Sequence, residues 1–174
     1  MTGLALTGED ADSATVYGGA DFNISGRSYT TAIVPWSSVP AFTAINETHL
    51  TPDLASVVQE VVNRSGWCGG NAMNFKLQGT GLRLAKSYET DPSQAAYLRV
   101  QYDPDSVPAS PAGCIVREYS ARVKASSDDA EESSAGGMSL SSSDLELISD
   151  GGDQEVGVRF RSLEIDQGTT ILAA

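Results

Sequence analysis

The residues best suited to chemistry in this chain are its carboxylates. The stretch "SSDDAEESS" (126–134) carries Asp128, Asp129, Glu131 and Glu132. Asp144 follows close behind, and "GEDADSA" near the start supplies Glu9, Asp10 and Asp12. Acids in such number suit Ca²⁺, which gathers about six to eight oxygen ligands. Their spacing is not that of an EF-hand loop, because the invariant glycine and the distal glutamate are out of register. The same acids equally suit a solvated strand edge, where charge discourages unwanted pairing. On sequence both readings stand.

Other chemistries have less to work with. There is no G-x-S-x-G, and "GTGLRL" lacks the third glycine of a dinucleotide loop. The single histidine, His49, is tied by nothing in the sequence to either cysteine. Pairs of carboxylates arise by chance in so acidic a chain, so glycosidase chemistry has no specific support. The expectation is a protein that is not an enzyme. Cys68, in "GWCGG", and Cys114 make a disulfide in an oxidising compartment and two thiols otherwise. Trp36 and Trp67 are either core or a platform for stacking sugars. Asn23, Asn46 and Asn63 open N-x-S/T triplets, short patterns that carry little by themselves.

These residues need a scaffold, and the composition indicates its kind. A chain of 174 residues with 40% apolar content can bury one core of ordinary size. Abundant Gly and Ser favour turns and strands over long helices. The net charge of -12 repels nucleic-acid phosphates and anionic membranes. No segment approaches the roughly 20 apolar residues of a membrane span, so no membrane insertion is expected. Lysine is confined to Lys76, Lys86 and Lys124, which suits an extracellular or cell-surface location.

The clearest element lies at about 52–64. Thr51 is a good N-cap and Pro52 suits the first helical position. Leu54, Val57, Val58, Val61 and Val62 fall on one helical face, and Gly66 ends it. "NAMNFKLQG", "GLRLAKSYE" and "AAYLRVQYD" alternate as strands. Residues 104–117, with three prolines, read as a linker. Beyond it, "EYSARVKAS", "MSLSSSDLELIS", "QEVGVRFRSLEI" and "TTILAA" are strand-like. The predicted fold is all-β, a jelly-roll-like β-sandwich with one short α-helix.

Several stretches together resemble a bacterial extracellular β-sandwich family, the DNRLRE-type domains related to carbohydrate-binding modules. "EVGVRFRSLEIDQGTTILAA" (155–174) resembles the early part of that family. "VPWSSVPAF", "TPDLASVVQEVVNRSGW", "NAMNFKLQGTG" and "AAYLRVQYD" resemble its later part, in order. The resemblance implies permuted halves: residues 1–103 resemble the back half, 104–117 a linker, and 118–174 the front half of the same or a neighbouring sandwich. The strand that the family order places between "TILAA" and "GLALTGEDA" is absent from both ends.

Three arrangements follow from this order. The halves of one chain meet as a permuted domain, or the front half completes a neighbour, or the segment is one period of a longer repeat. A sandwich lacking a strand exposes unpaired backbone and an apolar seam, which a neighbour can fill. The expected function is therefore structural. The chain is read as a subunit of an extracellular filament or surface matrix, adding identical copies head-to-tail by strand complementation. Leu4 and Leu6 on one side, and Val156, Val158, Phe160, Ile171 and Leu172 on the other, would carry assembly. The alternative is a carbohydrate-binding module of a secreted or surface protein, with polysaccharide as partner.

Overall fold

The computed structural model describes residues 2–44, 46–67, 69–103, 117–149 and 152–174. The described residues form eleven strands and one α-helix. They are β1 (Gly3–Gly8), β2 (Val34–Trp36), α1 (Ala55–Val62), β3 (Met73–Thr80), β4 (Arg83–Lys86) and β5 (Tyr97–Asp103). The expected linker 104–117 lies outside the described residues except for Arg117, which opens β6 (Arg117–Arg122); β7 (Asp129–Ser133), β8 (Met138–Ser139), β9 (Asp144–Leu147), β10 (Gln154–Phe160) and β11 (Thr170–Ala173) follow. The chain folds as an all-β sandwich with one short helix.

One layer is a six-stranded antiparallel sheet in the order β2-β1-β3-β10-β7-β8. The other is made of two small sheets, β11-β5-β6 and β4-β9, which share no ladder with each other. The halves of the chain close on one another. Val156 pairs with Leu77 and Phe160 with Met73 between β10 and β3, and Ile171 pairs with Tyr102 between β11 and β5.

The residues expected at an assembly seam lie mostly inside this fold. Leu4, Leu6, Val156, Val158, Phe160 and Ile171 are buried in one core. Leu172 alternates to the outside and is 49% exposed. Phe75 and Phe160 meet edge to face, with ring centroids 6.0 Å apart, across the β3–β10 ladder.

The helix buries Val57, Val58, Val61 and Val62, as its spacing predicts. It begins later than expected, because Asp53 and Leu54 are recruited elsewhere. Leu54 donates its N–H to the carbonyl of Ala174 (2.5 Å). Asp53 Oδ1 accepts from the N–H groups of both Ala55 and Ala174, at 2.9 and 2.8 Å. The start of α1 thus clamps the end of β11, and Thr51 caps nothing.

The outer face of the large sheet is covered in part by the loop after β1. Tyr17, Ile24 and Ala130 form a second small core there. The Tyr17 ring lies over Gly157 of β10, where an added Cβ would come within 2.5 Å of its Cζ and hydroxyl oxygen. Gly157→Ala should therefore cost about 1–3 kcal/mol by overpacking. Gly19→Ala, at a site with nothing within 4 Å, should leave the melting temperature unchanged. Paired thermal melts of the two variants check this.

Candidate functional site

The acid-rich stretch 126–134 becomes a short 3-10 turn (Ser126–Asp128) followed by β7, an interior strand of the large sheet. Asp128, Asp129, Glu131 and Glu132 are all buried, which corrects the expectation of charge on a solvated edge. Burial of a carboxylate is costly unless it is paired or hydrogen-bonded, and each of these has its own partners. Asp128, with no exposed surface, accepts from Arg159 Nη1 at 2.5 Å and lies 3.3 Å from Arg161 Nε. Asp129 accepts the N–H of Tyr88. Glu131 Oε1 accepts the N–H of Glu146 and the side-chain amide of Gln154. Glu132 accepts the N–H groups of Ile24 and Ser25 and the Ser25 hydroxyl.

The other acids named from sequence lie elsewhere. Glu9 pairs with Arg27 at 2.8 Å, and Asp10 and Asp12 both hold Arg64. Asp144 accepts from the Ser143 hydroxyl. Among the described residues, no three His, Cys, Asp or Glu side chains are grouped so as to hold one metal ion. Cys68 and Cys114 lie outside the described residues, so their pairing is not part of this geometry. Trp67 is fully buried, its indole N–H donating to the Ile165 carbonyl at 2.9 Å, and Trp36 packs in the same core. Neither offers an open ring face to a sugar.

What the residue types did not reveal is a groove of about 480 Å³ at the break in the second layer. Leu6, Leu77 and Val156 of the large sheet line it from below. Ala85, Leu145 and Leu147 come from the β4-β9 pair, and Tyr97, Leu98 and Ala173 from β5 and β11. The ladder of β11 reaches only Gln101–Asp103 of β5, so Tyr97–Val100 run on past its end. At the mouth stand His49, stacked on Phe42 with centroids 3.8 Å apart, and Leu50, which is 76% exposed. The groove is about three times the ~150 Å³ apolar cavity that suffices for benzene.

Two outcomes follow from the buried acids. Arg159→Met should cost about 3–5 kcal/mol, because it strips Asp128 of its closest charge partner while leaving the carboxylate buried. Chemical denaturation of the variant measures this. Burial also pushes the Asp129 carboxyl up to about 6. Burial and the neighbouring Glu146 carboxyl push Glu131 up to about 7. A carboxyl whose folded pKa is raised binds its proton more tightly folded than unfolded, so its contribution to stability falls as pH rises from about 4 to 7. Melts at pH 5 and pH 8 should show the higher midpoint at pH 5, and Glu131→Gln should narrow the gap. The chain matches no known protein family, no curated protein and no solved structure.

Proposed function

We propose that this protein is a strand-accepting structural subunit of an extracellular filament or surface matrix, with a second copy of the chain as its partner. The observation that carries the reading is the apolar groove at the break between β4-β9 and β11-β5-β6. An interrupted sandwich layer leaves apolar side chains that one more strand would cover. An extended segment laid in the groove would place alternate side chains over Leu6, Leu77 and Val156. Because donor and acceptor surfaces differ, such a contact is heterologous and propagates as a ring or a filament.

The acceptor surface overlaps the seam expected from sequence at Leu6, Val156, Val158 and Phe160, while Leu4 serves the subunit's own core. The groove adds residues unnamed in that expectation, chiefly Ala85, Leu98, Leu145 and Leu147. The tryptophans give the carbohydrate-module alternative no platform.

Negative-stain electron microscopy and static light scattering on concentrated protein test the proposal. The wild type should form regular filaments or closed rings. Ala85→Trp, which fills the groove, should retain its far-ultraviolet spectrum and stay monomeric. A wild type monodisperse at 18.2 kDa at every concentration, or an Ala85→Trp variant that polymerises equally, would overturn it.

A further inference from the structure

On the core side of the large sheet, two rows of apolar side chains end in acids. Leu6 pairs with Leu77, Leu77 with Val156, and Val156 with Glu131. In the next row Phe75 pairs with Val158, and Val158 with Asp129. Side chains alternate along strands, so Asp129 and Glu131 point to the same side as these apolar partners, between the layers. They are 2% and 6% exposed. Stability alone is served as well by apolar residues in such a row.

Over these two acids lies the β4-β9 pair, whose ladder among the described residues joins it to no other strand. Asp129 Oδ2 accepts the N–H of Tyr88, just past β4, at 2.8 Å. Glu131 Oε1 accepts the N–H of Glu146, in β9, at 2.6 Å, and the Gln154 side chain bonds both to that oxygen and to the Glu146 carbonyl. The pair is tied differently where Arg83 meets Leu147, the end at which the chain enters from β3 and leaves for β10. There Arg83 donates to Thr2 Oγ1 and to the Val39 carbonyl, both at 2.8 Å, and Ile148 bonds to Gly81 and Gln154. That end is a hinge, and the two carboxyls hold the pair down beyond it.

Each carboxyl faces other acids. Glu146 of β9 stands against Glu131, and Asp129 has Glu89, after β4, and Asp128 as neighbours. The cations of the adjoining elements are directed elsewhere: Arg159 and Arg161 hold Asp128, and Lys86 donates to Asn46. Loss of protons therefore sets acid against acid across the contact that keeps the pair in place.

We propose that Asp129 and Glu131 form a pH-sensitive latch: protonated, they seat the β4-β9 pair on the large sheet, and ionised, they release it. Ala85, Leu145 and Leu147 of that pair wall the apolar groove, so release opens the groove from the side. The two carboxyls, raised chiefly by burial to about 6 and about 7, set the window. Once released they meet water and return to about 4. The seated form binds the protons more tightly, so opening becomes easier as pH climbs from about 4 to 7, by up to about a hundredfold per carboxyl. The latch belongs to the single chain and does not rest on the strand-accepting reading.

Hydrogen exchange of dilute protein between pH 5 and pH 8, corrected for the intrinsic exchange rate, tests it. Protection of residues 83–86 and 144–147 should fall at least tenfold further over that range than protection of β3 and β10. In the double variant Asp129→Asn, Glu131→Gln the side-chain amides still accept the same N–H groups, and protection of β4-β9 should no longer depend on pH. An equal fall in all strands, or a double variant that keeps the wild-type pH dependence, would overturn the proposal. The wild-type comparison decides by itself where the double variant fails to fold.

Discussion

The ladder between β3 and β10 is the interaction on which the rest of the fold depends. It joins residues 73–77 to residues 156–160 and makes one six-stranded sheet from two distant parts of the chain. Phe75 and Phe160 lock across it, and the helix packs its valines onto the same core. On the other face, Gly157 lets the Tyr17 ring approach, and β7 hydrogen-bonds to the far edge of β10. The groove rests on the side chains of this one sheet, with Val156 facing into it and Glu155 facing the other way.

How much of this was legible in the sequence depended on where each pattern's cause lies. The helix was readable because Val57, Val58, Val61 and Val62 carry their period locally. Its start was not, because Asp53 and Leu54 bond to Ala174, more than a hundred residues away. The strands of β1, β3, β5 and β10 showed in simple alternation. β7 did not, since "DAEES" contains one apolar residue and owes its burial to partners scattered through the chain. Arg159 neutralises Asp128, the turn at Ile24 and Ser25 takes up Glu132, and Gln154 reaches Glu131. No local rule predicts an interior strand made of acids.

The groove was illegible for a related reason. A groove is defined by which elements fail to meet, and Ala85, Leu98 and Leu147 read as ordinary strand residues until β4-β9 and β11-β5-β6 are seen not to pair. The tryptophans had drawn attention as the natural sugar-stacking rings. They proved to be packing residues.

The pairing of β3 with β10 also fixes when this chain can fold. Contacts between residues so far apart close large loops before they gain any burial, which places the fold among the slow ones. Until β10 is in place, β3 has an open edge and the apolar faces of β1 and β3 lack their cover. Roughly the first 150 residues would therefore leave the ribosome without a finished core, at synthesis rates of about 5–20 residues per second. A nascent chain in that condition has several seconds of exposed β-sheet edge, long enough to meet a chaperone or another nascent copy.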